Sequence, residues 1–508
     1  MFPSVHRHEG SRVNQRRRSK LLRQSRRNRT RYLRRGILLE PLEPRLLLTN
    51  WLGHEDFEDG AADWTVDNGV WEIGTPTSGP TAAFAGAGAA GTVLAGNYPS
   101  DTDSRLISPA VALPTLAAGE RLELRFQQWF AYDRSDFGDV QISVAGGDWQ
   151  TLAQAAPTGS SNGWSLATVD LTSYAGQSVR LAFYHQAAPF YDASGWYVDE
   201  VDLWRGVPSV AWPEGFESGW GDWSADGGVW QVGPPTSGPG TAYAGANVAG
   251  TVLAGKYPGD ADSRLVSPVV TLPAVTGRQR VELRFWHWFD YENGDGGDVQ
   301  ISVAGSPWQT LGRRAPTGVS PGWSLAKVDL TDYAGQSVRI AFFHQAVPFY
   351  EASGWYVDEV ELWRGVPSVT WPEGFESGWG DWSADGGLWQ VGPPTSGPSA
   401  AYAGANVVGT MLGGDYPEDT DSRLISPAID LSAVTGDQRL ELRFQQWYRY
   451  ASGDHGHIQV SRLSGGAWTE WESIAETAPT GVSAGWGEAR VDLTAFAGGC
   501  VPILRTKC

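Results

Sequence analysis

The chain has 508 residues, with 38 Lys+Arg against 57 Asp+Glu, 26 Trp and only two Cys. So many aromatics exclude a disordered chain, and 64 Gly with 31 Pro point to a turn-rich β protein. The charge is divided: residues 1–50 hold 14 Lys+Arg and 3 Asp+Glu, whereas the remainder holds 24 and 54, an acidic body that argues against a nucleic-acid partner.

Residues 1–36 are rich in arginine, and an apolar stretch over 37–48 follows. A basic region before an apolar one has the order of a secretion signal, although Glu40, Glu43, Arg45 and two prolines interrupt it. Within it, Leu42-Glu43-Pro44-Arg45-Leu46-Leu47-Leu48 resembles the LEPR-x-LL motif near the N-terminus of large planctomycete surface and secreted proteins. That resemblance implies a bacterial protein exported to the cell surface or beyond it. A merely solvated basic tail is the alternative reading. No apolar run of about 18 residues is present, so no membrane-spanning helix is expected.

From residue 51 the chain repeats with a shift of 159 residues, which aligns Trp71, Trp230 and Trp389, and likewise Trp129, Trp288 and Trp447. A period this long is a whole domain. The reading is an all-β chain of three tandem antiparallel jelly-roll sandwiches over 51–206, 207–365 and 366–508, after the tail at 1–50. The joints at Gly206-Val207-Pro208 and Gly365-Val366-Pro367 are short, so neighbouring units should have restricted freedom.

Inside a unit the apolar period is two. Arg121-Leu122-Glu123-Leu124-Arg125-Phe126, Val140–Val144 and Val179–Phe183 all alternate, as strands with one buried face do. Trp196 and Val198 need the same core as Val201 and Leu203, but the spacing slips by one between 198 and 201. A β-bulge at Asp199-Glu200 would reconcile the pattern and re-aim that carboxylate pair. In the third unit four residues are inserted around 462–472. After Gly498 the pattern breaks down, and the counterpart of 338–363 is missing. The expectation is a truncated or frameshifted unit that lacks core strands.

The units resemble a group of extracellular jelly-roll modules: MAM domains, adhesin domains released from bacterial surface proteases, and the C-terminal module of immune-inhibitor-A-like metallopeptidases. The residues that carry the resemblance include Gly215-Phe216-Glu217, Gly219-Trp220, Ser267-Pro268, Leu283-Arg284-Phe285, Val328-Asp329-Leu330 and Gly354-Trp355-Tyr356-Val357-Asp358-Glu359-Val360. The resemblance implies a sandwich fold and raises the expectation of structural calcium near strand ends.

Candidate sites follow from residue type and place. Calcium takes six to eight oxygens, and repeated acids offer them: Glu58, Asp103 and Asp199 in the first unit, Glu217, Asp262 and Asp358 in the second, Glu376 and Asp421 in the third. Pairing of first and last strands would bring Glu217 to Asp358. The alternative is solvated surface acids. A second acidic group is Asp295 and Asp298. For sugar or protein docking, Trp286 and Trp288 lie on the face opposite Leu283, Phe285 and Phe289, with Trp129 and Trp447 equivalent to Trp288; stacking on sugar rings suits exposed indoles, and burial is the alternative. Gly-x-Ser-x-Gly recurs around Ser161, Ser320 and Ser483, but a strand rather than a helix follows it, so a glycine-rich turn is the better reading than a nucleophile elbow. The expected function is non-catalytic: an exported adhesion protein binding glycans or protein surfaces, with an accessory fragment of a larger secreted enzyme, or a bare spacer, as alternatives.

Overall fold

A computed structural model describes residues 53–506 apart from 61–62, 316–317, 419, 432–437, 465–466, 498–499 and 502. The basic tail and its LEPR-x-LL motif lie outside the described residues. The architecture is all-β, and the helical pieces among the described residues are three short 3-10 turns.

Each of the first two units is a sandwich of two antiparallel sheets. In the second, one sheet runs Gln231–Gly233, Val248–Gly250, Gly354–Gly365, Arg280–Tyr291, Gly318–Val319. The facing sheet runs Ser224–Asp226, Asp262–Val266, Ser337–Gln345, Gly296–Val303, Gln309–Ala315. Alternation explains the core: Val281, Leu283, Phe285 and Phe289 point inward and are buried, against Ile340, Phe342, Val299 and Ile301 from the opposite sheet. The first unit repeats this arrangement around Leu122, Leu124, Phe126 and Trp196. The anticipated bulge is present, with register shifting between Asp199 and Asp202, and Glu200 and its equivalent Glu359 adopting φ of 48° and 46°. Trp196, Val198, Val201 and Leu203 all reach the core because of it.

The joints are built twice from equivalent residues. Arg125 Nη2 reaches Asp222 Oδ1 at 2.9 Å, and Arg284 Nη2 reaches Asp381 Oδ1 at 2.9 Å. Each arginine also lies over a tryptophan of its own unit, Trp204 at 3.9 Å and Trp363 at 3.8 Å. The other oxygen of each acid accepts a linker N–H, from Ser209 and Ser368, at 2.8 Å. Gly228 and Gly387 let the next unit approach closely: a Cβ there would stand 2.5 Å and 2.3 Å from Phe130 and Phe289 of the unit before.

The third unit corrects one expectation and meets another. Its last residues do not simply break the pattern. Cys500–Val501 pairs with Ile429–Asp430 as Ser337–Val338 does with Val270–Thr271, and Ile503–Thr506 sits between Arg423–Ile425 and Gly456–Val460 as Ser337–Gln345 does in the second unit. Among the described residues no strand takes the place held by Gly354–Gly365. The sheet that needs it is divided into three pairs, Gln390–Gly392 with Val407–Gly409, Glu441–Gln446 with Gly487–Asp492, and Arg449–Tyr450 with Gly481–Val482. The core splits accordingly into two clusters.

Candidate binding site

The predicted calcium acids separate into two places. Glu58 and Asp199 come together on one loop: Glu58 Oε1 accepts N–H bonds from Ala87 and Gly88 at 2.7 Å, and Asp199 Oδ2 accepts from Phe84 at 2.9 Å and Ala85 at 3.2 Å. Glu217 and Asp358 do the same with Ala246, Asn247 and Ala244. Glu376 binds Ala405 and Asn406. Asp103 lies elsewhere, on the strand Thr102–Ile107 of the other sheet, accepting from Asn68. Its equivalent Asp262 begins the strand Asp262–Val266, and Asp421 takes the corresponding position in the third unit. The donors meeting the first group are backbone N–H groups, which compensate an anion without a cation. Among the described residues no three His, Cys, Asp or Glu side chains assemble for a metal ion.

One corner remains acidic. A Cβ on Gly215 would stand 2.8 Å from Glu359 Oε1 and 3.6 Å from Asp358 Oδ1, so the bulge turns both carboxylates toward it. Burial pushes the Asp358 carboxyl up to about 6, and burial raises Glu214 beside it, with the charge of Glu359 adding to the effect. In the first unit His54 lies at this place, 3.6 Å from Glu200 and 2.8 Å from Asp202; burial works against its charge, but these carboxylates raise the imidazole above its usual value. Pro213 stands in its place in the second unit.

The four predicted tryptophans are half-buried and engaged. Trp129 and Trp288 pack edge-on against Tyr197 and Tyr356 at 5.5 Å and 5.6 Å. Trp286 stacks on Tyr243 at 3.7 Å and packs against the core of the third unit. Trp447 lies over Gly397, the place that Tyr356 takes over Gly238. The Gly-x-Ser-x-Gly serines are turn clips: Ser161 and Ser320 are buried, and their hydroxyls accept the N–H of Phe130 and Phe289.

Sequence reasoning missed the most exposed aromatics. The loop between the strands Ser178–Ala187 and Gly195–Gly206 lifts Phe190 to 96% exposure, and the equivalent loop lifts Phe349 to 98%. Both adopt left-handed backbone, φ 75° and 77°, which strains a bulky residue by about 1–3 kcal/mol. A buried polar network holds each loop. Asp136 accepts the N–H of Ala188 at 2.7 Å and the hydroxyl of Tyr98 at 2.7 Å; Asp295 does so with Val347 at 2.7 Å and Tyr257 at 2.6 Å. His185 and His344 complete the networks against the hydroxyls of Tyr132 and Tyr291. The predicted second acidic group is thus divided, since Asp295 anchors this loop from the interior. The repeated Pro-Phe-Tyr at 189–191 and 348–350 was the available signal.

No family model matches the chain. It is 32% identical over 153 residues to bacillopeptidase F of Bacillus subtilis, covering 29% of this chain and 10% of that protein. It is 32% identical over 117 residues to the pre-pro-metalloprotease PrtV of Vibrio cholerae, covering 21% of this chain and 12% of the relative. The chain therefore spans about a tenth of the length of these curated relatives. Among solved structures, the K1 cleaved adhesin domain of Lys-gingipain from Porphyromonas gingivalis is 23% identical, covering 30% of this chain and 96% of that one at a TM-score of 0.21. A tandem CBM22 pair from Paenibacillus barcinonensis Xyn10C is 16% identical, covering 62% and 97% at a TM-score of 0.22.

Proposed function

We propose that this chain is a non-catalytic, exported array of β-sandwich modules that docks on glycan or protein surfaces through its Phe190 and Phe349 loops. The observation that carries the reading is the repetition of a fully exposed, strained phenylalanine on a buried anchor. Folding alone gives no reason to keep it, because a strained conformation persists only where its surroundings impose it. An aromatic face suits both a sugar ring and an apolar protein patch. Two copies on one chain add avidity. Binding of the full chain to insoluble polysaccharides and to extracellular-matrix proteins, each with and without periodate oxidation of sugars, tests it. Phe190→Ser with Phe349→Ser should weaken retention at least about tenfold, and either change alone should have an intermediate effect. Equal retention of the double variant and the parent chain would remove the loops from the function.

The relatives support a second reading, in which these modules are accessory parts of a larger secreted hydrolase. An open reading frame continuing into a protease or glycosidase domain would favour it. We also propose calcium at the acidic corner of the second unit, where Asp358 and Glu359 face Gly215; with fewer than three acidic side chains converging there, carbonyl and water oxygens would complete its shell. Glu58, Asp199, Glu217 and Glu376 are already met by backbone donors, and Asp103 by Asn68. Calorimetric melting of the full chain should show the second unit gaining stability from chelator to millimolar calcium, and Glu359→Gln should reduce that gain. A melt unmoved by calcium would end the ion's role.

A further inference from the structure

The third unit departs from the other two at one short stretch. Asp136-Phe137-Gly138-Asp139 of the first unit and Asp295-Gly296-Gly297-Asp298 of the second become Asp454-His455-Gly456-His457. The leading aspartate and the inner glycine stay the same, and so does the glutamine just beyond, at 141, 300 and 459. The two positions flanking the glycine both change to histidine. Positions i and i+2 of an extended strand send their side chains to one face, about 6–7 Å apart at the backbone. Gly456–Val460 is such a strand, and His455 directly precedes it.

The imidazoles of His455 and His457 meet with ring centres 4.6 Å apart and planes at 89°. An imidazole nitrogen lies about 2.0–2.1 Å from zinc, so the ring centre is about 3.2 Å from the ion, and two rings sharing an ion at about 90–110° have centres about 4.5–5.2 Å apart. The observed separation falls in that range. Turning the His457 ring about its Cβ–Cγ bond aims a nitrogen while the ring centre stays in place, and this torsion is broad for histidine. The tautomer of His455 is set as well. Its Nδ1 lies 3.1 Å from the Gly453 carbonyl oxygen, which only accepts, so Nδ1 carries the proton and Nε2 the lone pair that a metal needs. Both side chains are half-exposed, so an ion can reach them. The backbone beneath is held firmly: Asp454 accepts the hydroxyl of Tyr416 at 2.7 Å, and its carbonyl accepts the hydroxyl of Thr480 at 2.7 Å. His457 pairs with Glu476 on one neighbouring strand and Thr506 on the other.

We propose that His455 and His457 form a bidentate site for a divalent transition ion of the zinc and copper(II) class. Imidazole suits these ions, whereas calcium and magnesium take oxygen, so this site is separate in kind from the acidic corner of the second unit. It belongs to the third unit alone, because the equivalent positions of the other two offer no imidazole. Two protein ligands fill half of a tetrahedral shell. The other positions are open to water or to a donor from outside the chain.

Copper(II) titration of the full chain, read by electron spin echo modulation, tests this. The chain carries His6→Asn and His8→Asn, because those two histidines have the same spacing in the sequence. One copper per chain should bind with the signature of two coordinated imidazoles, and zinc should compete for the same site. His455→Asn and His457→Asn, each checked for an unchanged melting transition, should each leave one imidazole and weaken binding at least about tenfold, since the second ring acts as a tethered ligand. A one-imidazole signature before either change, no competition by zinc, or copper held equally well after both changes would overturn the proposal.

Discussion

His185 and His344 show how single residues hold the loop tips. Burial drives their imidazoles down to about 4 and about 3, so both are neutral where an unfolded histidine near 6.5 begins to charge. Because the folded state binds fewer protons, each costs stability as pH falls below 6.5, by about 3 kcal/mol for His185 and about 5 kcal/mol for His344 when complete. Asp199 and Asp358 work in the opposite direction. Burial raises both to about 6, so the folded state binds protons more tightly and gains stability as pH falls from 6 toward 4. The two effects offset within each of the first two units. We predict a nearly flat stability profile between pH 4 and 6.5, followed by denaturant titration. Replacing both aspartates by asparagine should remove part of this offset and make stability fall more steeply with acid. A double variant with the parent's flat profile would contradict this assignment.

At the scale of strands, the alternating apolar pattern was readable before the structure because each sheet has one buried face. The bulge was readable for the same reason, since Trp196 and Leu203 cannot both reach a core without an extra residue between them. The acids were less legible. Asp103 and Asp199 carry similar sequence signals, yet pairing sends them to different sheets, and backbone N–H groups that no sequence displays meet Asp199. Phe190 escaped notice because exposure at a loop tip leaves no periodicity. The third unit shows what a central strand contributes. Leu442 and Phe444 are half-exposed, whereas their equivalents Leu283 and Phe285 are completely buried. Such losses cost several kcal/mol. The third unit should therefore melt on the order of 10 °C below the second, and its amides over 441–446 should exchange faster than those over 282–287. Equal protection of the two segments by hydrogen exchange would mean that the sheet is closed some other way.

Across the whole molecule, copying one joint turns three sandwiches into an ordered array. Arg125 with Asp222 and Arg284 with Asp381 fix successive units by the same contacts, so the two phenylalanine tips stand in a defined relation rather than on independent beads. That relation is what allows bivalent docking: avidity is lost when geometry forbids both sites from engaging together. The most direct measurement is the distance distribution between spin labels at positions 190 and 349, attached through Phe190→Cys and Phe349→Cys in a chain with Cys500→Ser and Cys508→Ser. A single narrow peak that broadens on Asp222→Ala is the predicted result. A broad distribution in the chain with intact joints would contradict the account.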